Sequence, residues 1–228
     1  LETIVGGFVH EVRKPLTSIK TFIQLAPSRR NDTEFMDSFG SVVADDVARI
    51  ERLIEEILDY ARYMKPKFSL ESLNEIVSSC LHFLEVKASN LNVSIEKHLA
   101  EELPRTMVDR QQIKQVIMNL ILNAIDAMKS SGGRLTVTTR HLTRVDGTRW
   151  IQVEMADTGC GIAPGDLPHI FDPFFTTKHE SAEHAGTGLG LSIVYQIVRE
   201  HSGTIETQST IDQETSFTVM LPEKTEQN

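Results

Sequence analysis

His10 is followed directly by a glutamate, Glu11, near the start of the chain. An imidazole has an ordinary pKa of about 6.5, so it is largely neutral at pH 7 and can act as a nucleophile. A carboxylate beside it can fix its tautomer and hold or accept its second proton. The two residues therefore suit nucleophilic chemistry at a ring nitrogen, provided that Glu11 adopts a rotamer that reaches His10.

Apolar residues surround His10 at intervals that alternate between four and three positions. The series is Leu1, Val5, Phe8, Val12, Pro15, Ile19, Phe22 and Ala26. This spacing is the a/d pattern of a helix in a coiled coil or a helix bundle. With Val5 at position a and Phe8 at position d, His10 occupies position f, the point farthest from the apolar seam. The pattern predicts an exposed imidazole that a second domain can reach.

A second helix is predicted from Asp32 to about Met64. Its seam has the same alternation and consists of Met36, Gly40, Val43, Val47, Ile50, Ile54, Ile57 and Ala61. Asp32 is suited to the N-cap, and the polar connection at 27–31 is short enough to make the helices antiparallel neighbours. One hairpin cannot bury its apolar face alone. We therefore expect two chains to form a homodimeric four-helix bundle through residues 1–64.

Two asparagines, Asn119 and Asn123, lie four residues apart in an apolar helical pattern at about 109–129. Side chains at this spacing share one face of a helix, and Asp126 flanks that face. Asparagine is a mediocre helix former, so its presence here needs a reason. One interpretation is a capping or buried hydrogen-bond network. The other is a pair of neutral oxygen ligands facing Mg²⁺ and phosphate, because Mg²⁺ prefers oxygen donors and keeps substrate phosphates in its shell.

A second candidate site, Asp157-Thr158-Gly159-Cys160-Gly161-Ile162, follows a strand pattern. Its glycines allow a tight turn and a close approach to a ligand. Asp157, at the strand end, is placed to accept a hydrogen bond from an exocyclic amine. An Asx-type turn explains the same residues equally well.

A third candidate site, Gly186-Thr187-Gly188-Leu189-Gly190-Leu191, opens a helix predicted to run to about His201. Free backbone N–H groups at a helix start favour an anion such as phosphate. The spacing is neither a Rossmann fingerprint nor a P-loop. The preceding aromatic stretch, 171–178, suggests a latch that packs on closure, with Lys178 pairing with phosphate charge. A loop anchored on the core, with a solvated lysine, is the alternative.

The composition is that of an ordinary globular protein, with 228 residues, 40% hydrophobic and 24% charged. A net charge of −9 argues against nucleic-acid binding. No apolar run approaches the roughly 20 residues of a membrane span, and two distant cysteines suggest a reducing compartment. Because the chain begins at Leu1 in mid-heptad, we expect it to be the C-terminal, cytoplasmic part of a longer protein, with any sensory or membrane segment in the missing N-terminal region.

Beyond the two helices, helical and strand patterns mix, which predicts an α+β layer domain with helices on one face of a mixed sheet. The helical patterns lie at about 72–89 and 109–129, and the strand patterns at about 91–97, 134–142, 149–156, 203–209 and 215–221. The irregular segment 163–187 is long enough to be functional or mobile. The predicted domains are a helical hairpin at 1–64, a linker at 65–67, an α+β domain at 68–223 and a tail at 224–228.

Taken in order after an exposed histidine, these motifs resemble the catalytic core of the sensor histidine kinases of two-component systems. The chain is similar to a dimerisation and phosphoacceptor hairpin followed by an ATP-binding domain of the gyrase/Hsp90/histidine-kinase/MutL type, a Bergerat-type α/β sandwich. The resemblance covers essentially the full length, and within the family it points to the kinases that start sporulation. It implies an ATP-dependent protein-histidine autokinase that passes its phosphoryl group to an aspartate in the receiver domain of a response regulator. Inhibitor proteins that dock on the hairpin are a further implied class of partner.

The resemblance also implies a role for each motif. His10 would be the phosphoacceptor and Glu11 the general base, while Asn123 would be the Mg²⁺ ligand and Asp157 would bind the adenine amino group. A strand threonine, Thr215, would lie near adenine. The residues expected to bind ATP are Asn119, Asn123, Asp126, Asp157, Gly159, Gly161, Ile162, Lys178, Gly186, Thr187, Gly188, Leu189, Gly190, Leu191 and Thr215.

Two residues depart from the family pattern. Many of these kinases have Asn or Thr four residues after the histidine, where it orients water for dephosphorylation of the partner, and this chain has Lys14. We therefore expect weak or absent phosphatase activity. The family often has Gly before the strand threonine, and this chain has Glu214. That change loosens the assignment of the turn without removing nucleotide binding.

Two other functions compete with the kinase. An ATPase or ATP-gated clamp of the same nucleotide-binding fold would need the ATP-binding residues but not His10 and Glu11 on an exposed face. A non-catalytic dimerisation scaffold would not need Asn119, Asn123 or Asp157. The sequence names neither the stimulus nor the regulator, and it does not distinguish phosphorylation within a protomer from phosphorylation between protomers.

Overall fold

The structure of the protein, a computed structural model, describes residues 2–62, 66–177 and 187–225. The chain divides into two compact units. The hairpin unit comprises Leu1–Met64 together with Asp172–Leu189, and the sheet unit comprises Lys65–Phe171 together with Gly190–Asn228. The predicted α+β domain at 68–223 is contiguous in sequence. In the structure the segment 172–189 within that range belongs to the hairpin unit.

Two long helices, α1 (Glu2–Arg29) and α2 (Thr33–Arg62), form the hairpin unit's main element. Three phenylalanine rings pack near its turn, with the Phe22 ring 5.6 Å from that of Phe35 and 6.2 Å from that of Phe39. The predicted N-cap is confirmed, because Asp32 Oδ1 accepts a hydrogen bond of 3.1 Å from the Phe35 N–H. The two helices are antiparallel, as the short connection predicts.

The predicted start of the connection at Pro27 is wrong. Helix α1 continues through Pro27 to Arg29, and residues 30–32 make the turn. A proline lacks its own backbone N–H, so in the last turn it removes one helical hydrogen bond. The helix before it does not have to end there. In the same turn the Ser28 hydroxyl donates to the Leu25 carbonyl at 2.8 Å.

The sheet unit contains a five-stranded sheet in the order β2-β4-β5-β7-β6. Its strands are β2 (Val93–His98), β4 (Gly133–Thr143), β5 (Arg149–Asp157), β6 (Thr204–Thr210) and β7 (Glu214–Pro222). The β2–β4 pair is parallel and the other neighbours are antiparallel, so the sheet is mixed as predicted. Three helices pack against one another and on the sheet: α3 (Leu73–Asn90), α4 (Arg110–Ala127) and α5 (Gly190–Glu200).

The core of the sheet unit lies between these helices and one face of the sheet. Alternate strand residues are buried, as Val137 on β4, Val153 on β5 and Val219 on β7 illustrate, and helix α4 contributes Ile117 and Ile121. Such alternation is the pattern of a sheet with one covered face. The predicted α+β class is confirmed.

Two short strands, β1 (Ser69–Glu71) and β3 (Thr106–Val108), form a separate antiparallel pair that the sequence did not predict. Three residues are too few to show a strand alternation. The main-chain N–H of Lys67, just before β1, donates to Asp109 Oδ2 at 2.6 Å. The predicted linker at 65–67 is therefore bonded, over its described part, to the start of α4.

A buried histidine joins the end of α5 to the start of α4. His201 is 2% exposed, its Nε2 accepts from the Asp109 N–H at 3.0 Å, and its Nδ1 donates to the Ile197 carbonyl at 2.8 Å. Its ring lies 5.1 Å from the Phe68 ring. Burial lowers the pKa of His201, against the opposing effect of its bond to Ile197. The neutral imidazole is thus part of the fold.

Acidification should weaken the folded state through His201. Its pKa is lower in the folded chain than in the unfolded one, so its contribution is constant above about pH 6.5 and falls as protons bind the unfolded chain below that pH. Between pH 7.5 and 5.5 we expect the free energy of unfolding of the parent to fall by up to about 1.4 kcal/mol relative to His201→Gln. Urea unfolding at both pH values measures the difference. An unchanged difference would contradict the prediction, and the exposed His82→Gln is the control.

Candidate functional site

The predicted site residues are distributed over both units. His10, Glu11, Thr187, Gly188 and Leu189 belong to the hairpin unit. The sheet unit holds Asn119, Asn123, Asp126, Asp157, Gly159, Gly161, Ile162, Gly190, Leu191 and Thr215. Lys178 and Gly186 lie outside the described residues.

The asparagines lie on a half-buried polar face of α4. The N-cap of this helix is Asp109, whose side chain accepts from two main-chain N–H groups. Asn119 Nδ2 donates to the carbonyl of Gly190 at 3.1 Å, which joins α4 to the first residue of α5. Asn123 and Asp126 are half-buried farther along α4. The predicted hydrogen-bond role of Asn119 is present.

Gln115 extends this polar face by one helical turn. It stands four residues before Asn119, as Asn119 stands four before Asn123. Within the part of the chain that the structure describes, Gln115 Oε1 is buried and has no hydrogen-bond partner. A buried unpaired oxygen is costly unless a ligand, water or ion satisfies it. Gln115 was not among the predicted site residues, although the spacing of four could have indicated it.

Asp157 ends strand β5 and is 3% exposed. Its Oδ1 accepts from the Gly159 N–H at 2.9 Å, which is the Asx-type bond anticipated as the alternative to ligand binding. Burial raises the pKa of Asp157 to about 6, and the bond from Gly159 only partly opposes this. A carboxyl group with few protein donors and a raised pKa is suited to receive a donor from a ligand.

The two glycines after Asp157 allow close packing. A Cβ on Gly159 would lie 2.7 Å from the Ala127 Cβ, at the end of α4. Gly161 has a φ of +71° and a Cβ there would collide with the Thr210 carbonyl oxygen. The Cys160 N–H donates to the Ala127 carbonyl at 3.2 Å. These contacts bring the end of α4 and the end of β5 together.

Thr215 lies beside Asp157 on the adjacent strand. The two residues are paired across β5 and β7, and Thr215 is 3% exposed. The Thr215 hydroxyl is hydrogen-bonded to that of Ser209 at 2.9 Å, and Ser209 Oγ accepts from the Ile162 N–H at 2.8 Å. Ser209 also donates to the Glu214 carbonyl at 3.0 Å. Glu214 stands where the family often has Gly, and this hydrogen bond holds its backbone in place. Ser209 belongs to no sequence motif and was not among the predicted site residues.

The glycine-rich segment is bonded to the aromatic segment before it. The Phe174 N–H donates to the Gly188 carbonyl at 2.9 Å, and a Cβ on Gly188, whose φ is +74°, would collide with the Phe174 backbone. Within the same unit the Phe174 ring lies against Gly7 of α1, where a Cβ would also collide. Phe171 instead belongs to the sheet unit and packs against Tyr195 at 5.5 Å. The aromatic residues are therefore packed rather than free.

His10 is exposed on α1, which confirms its predicted outward position. The neighbouring carboxylate is half-buried and has a cation at each oxygen. Glu11 Oε1 accepts from Lys14 Nζ at 2.6 Å, and Oε2 accepts from Arg49 Nη2 of α2 at 3.1 Å. Arg49 was not among the predicted site residues, because a contact between residues 38 positions apart depends on the packing of the two helices.

The described residues fit Mg²⁺ bound jointly with phosphate. Among them no group of three or more His, Cys, Asp or Glu side chains could hold a metal ion. A protein that supplies one or two neutral oxygens and leaves the remaining positions to phosphates and water is a usual arrangement for Mg²⁺. The half-buried amide of Asn123 can supply such an oxygen.

Comparison with known proteins assigns the chain to a family. The model of the histidine kinase-, DNA gyrase B- and HSP90-like ATPase family matches residues 108–225, and that of the His Kinase A (phospho-acceptor) domain matches residues 1–65. The catalytic domain of histidine kinase ThkA is 30% identical with a TM-score of 0.58, covering 69% of this chain and 97% of that domain. The chain therefore belongs to the histidine kinase-, DNA gyrase B- and HSP90-like ATPase family, as a catalytic core of the sensor histidine kinase type.

The curated relatives are longer than this chain. Signal transduction histidine-protein kinase AtoS of Escherichia coli K12 is 32% identical over 97% of this chain and 35% of its own length. Sporulation kinase C of Bacillus subtilis 168 is 32% identical over 98% of this chain and 49% of its own length. The chain thus spans a third to a half of these relatives. No described helix is both long and apolar enough to cross a membrane.

Proposed function

We propose that the chain is an ATP-dependent protein-histidine autokinase that phosphorylates His10 and passes the phosphoryl group to an aspartate of a response regulator. The observation that carries the proposal is the exposed imidazole of His10 beside the held carboxylate of Glu11, in a chain of this family. An ATPase or clamp of the same fold would have no use for that pair.

In the proposed reaction, one ring nitrogen of His10 attacks the γ-phosphorus of ATP. A nitrogen–phosphorus bond forms, the bond from phosphorus to the bridging oxygen breaks, and ADP leaves with the electron pair. Glu11 holds or accepts the proton on the other ring nitrogen, which keeps the attacking nitrogen's lone pair available. Phosphohistidine is then the donor to a receiver-domain aspartate, whose carboxylate oxygen replaces the imidazole on phosphorus.

The sheet unit would bind the nucleotide. Asp157 and Thr215 lie together at the ends of paired strands, and we propose that the ionised Asp157 accepts from the adenine amino group. Gly159, Gly161 and Ile162 shape the same region through their packing. Asn119, Asn123 and Asp126 on α4, and Gly190 and Leu191 at the start of α5, would face the phosphates, where helix N–H groups favour an anion.

We propose Mg²⁺ as a cofactor held by Asn123 and the ATP phosphates. When bound, the ion supplies positive charge to the phosphate oxygens during transfer. Asn119 is engaged with Gly190, so it would act mainly by joining α4 to α5. Lys178, Gly186, Thr187, Gly188 and Leu189 complete the proposed ATP-binding set.

We propose a homodimer through residues 1–64. Three apolar residues of α1, Val9, Leu16 and Ile23, are spaced by seven and are 49%, 51% and 56% exposed. Met36, Val47 and Ile54 of α2 are 41–43% exposed. Together they form an apolar surface that one chain leaves uncovered, and a second hairpin of the same type would bury it.

The proposed downstream partner is the receiver domain of a response regulator. ThkA, solved in complex with response regulator protein TrrA, is 28% identical to this chain over 95% of it, with a TM-score of 0.70. A protein inhibitor that docks on the hairpin is a further proposed partner. We propose a cytoplasmic location because ATP, the phosphoryl donor, is present there.

Incubation with γ-labelled ATP and Mg²⁺ tests the proposed function. The labelled protein is expected to keep its label in alkali, to lose it in acid, and to transfer it to a receiver domain. A phosphoester would instead keep its label in acid. ATP hydrolysis without protein label would favour the ATPase, and the absence of both ATP binding and label would favour the scaffold.

Lys14 predicts that the chain does not accelerate the dephosphorylation of its regulator. A lysine has only donors, and its Nζ is bonded to Glu11 rather than offering an acceptor for water. Since misplacing a reacting group costs roughly 100-fold, the phosphoaspartate should decay at the regulator's own rate. Phosphoaspartate decay with parent, Lys14→Asn and, as a control on the same helix, Lys20→Asn measures this. Rapid decay with the parent would contradict the prediction.

A further inference from the structure

We infer that Arg49 is a positioning residue for the proposed phosphotransfer, because its guanidinium reaches from α2 and holds the carboxylate of Glu11, the residue that follows His10 in sequence. The inference rests on the proposed function, in which Glu11 serves the second ring nitrogen of His10. Neither Arg49 nor a contact across the hairpin follows from the His10-Glu11 motif itself.

The geometry that carries the inference is the ion pair between the two helices. Arg49 Nη2 lies 3.1 Å from Glu11 Oε2, and the side chains are 24% and 16% exposed. Pairs that are partly buried are screened by salt much less than exposed ones. Arginine also presents a rigid planar fork that loses little freedom for each bond it makes. The pair is therefore suited to hold a carboxylate in one orientation.

The second cation on Glu11 cannot do the same. Lys14 Nζ lies 2.6 Å from Glu11 Oε1, but Lys14 is 47% exposed and stands three residues later on the same helix. It moves with α1 and has a flexible stem with a strongly hydrated charge. Of these two cations, Arg49 is the one that lies on α2, so it fixes the carboxylate relative to that helix. A shift of one helix along the other would thereby move the carboxylate relative to His10.

The carboxylate keeps the capacity to serve His10 while it is held. Each of its oxygens has two lone-pair sites, so Glu11 can accept from an imidazole N–H without releasing Arg49. Successive residues on a helix point in different directions, so an unheld glutamate would spend little time in the rotamer that reaches His10. Arg49 acts through this choice of rotamer and not by touching ATP.

The first test compares Arg49→Gln with the parent in initial rates of His10 phosphorylation over a range of ATP concentrations. We expect kcat to fall roughly tenfold or more, because orientation of a reacting group carries effects of that size, with the KM for ATP unchanged. Arg49→Lys keeps the charge but not the planar fork, so it should restore only part of the rate. Arg52→Gln is the matched control on the same helix, where Arg52 donates to the Ala48 carbonyl at 3.4 Å.

The second test repeats Arg49→Gln in a Glu11→Gln background. If Arg49 acts through Glu11, its substitution should add no further loss there, so the two effects should be strongly non-additive. Equal losses in both backgrounds, or an equal loss from Arg52→Gln, would overturn the inference and leave the proposed function intact. A parent chain that takes no label on His10 would overturn both. A Glu11→Gln rate equal to that of the parent would overturn the positioning role and the proposed role of Glu11, but not the phosphorylation of His10.

Discussion

Replacing His10 with glutamine is expected to lower the rate of phosphorylation of the chain at least about 10³-fold. A reaction that proceeds through a covalent intermediate stops without its nucleophile. Glutamine is polar and close in size to histidine, and His10 is exposed on the hairpin. Substitutions at such surface positions usually change the free energy of unfolding by less than about 0.5 kcal/mol. The loss should therefore come from chemistry and not from folding.

The same variant should still bind ATP. The residues proposed for adenine, Asp157 and Thr215, belong to the sheet unit, whereas His10 belongs to the hairpin unit. Equilibrium binding of ATP with Mg²⁺ and the incorporation of γ-label, measured on the same preparation, separate the two functions. His98→Gln, on an exposed part of the sheet unit, is the matched control and should keep full labelling. Acid-labile label that survives in His10→Gln would place the phosphoacceptor elsewhere.

The position of His10 was predictable from sequence because a heptad records which side of a helix is apolar. The seven-residue repeat fixes the position of the apolar seam on the helix. The position farthest from the seam then follows from helix geometry. The same reasoning was less successful on α2, where Met36, Val47 and Ile54 are exposed although the seam includes them. One sequence does not indicate which seam residues pack against the other helix of the same chain and which would pack against a second chain. Homodimer formation would account for the exposed part.

The ends of strands were also predictable, and their side-chain partners were not. A strand pattern that stops at Asp157 before two glycines predicts a turn directly after the strand, and the structure has one. The pairing of Asp157 with Thr215, 58 positions later, depends on which strands become neighbours. Ser209 is paired with Thr215 across β6 and β7, so it enters the site only once Thr215 lies beside Asp157. Short-range patterns contain no information on this, which is why Ser209 and Arg49 were missed.

Asp157→Asn is expected to weaken ATP binding and to stabilise the nucleotide-free chain. The asparagine oxygen can still accept from the Gly159 N–H, as Asp157 Oδ1 does. Its amide nitrogen, however, is a donor and cannot accept from the adenine amino group. Loss of a bond to a charged group, with an unpaired donor left in its place, costs about 1.5–3 kcal/mol, so affinity should fall roughly 10- to 100-fold.

The stabilisation follows from the raised pKa of Asp157. A pKa of about 6 in the folded chain lies above the ordinary 3.8. The contribution of Asp157 to stability is therefore fully present below about pH 4 and is lost as the pH rises through about 6. Above pH 7 the loss is about 3 kcal/mol, and a neutral asparagine does not incur it. Urea unfolding should thus show a gain for Asp157→Asn at pH 8 that vanishes near pH 4.

The two measurements together distinguish a ligand-binding carboxylate from a structural one. Asp146→Asn is the control, because Asp146 is exposed, its hydrogen bonds from Thr148 lower its pKa, and its substitution should not change ATP affinity. If Asp157→Asn lost both affinity and stability, the carboxylate would be a structural cap of the turn. If affinity fell while stability at pH 8 rose, the ionised carboxylate would oppose folding and be retained for its ligand. In that case ATP binding near pH 6 should also release a proton, which calorimetry in buffers of different ionisation enthalpy detects.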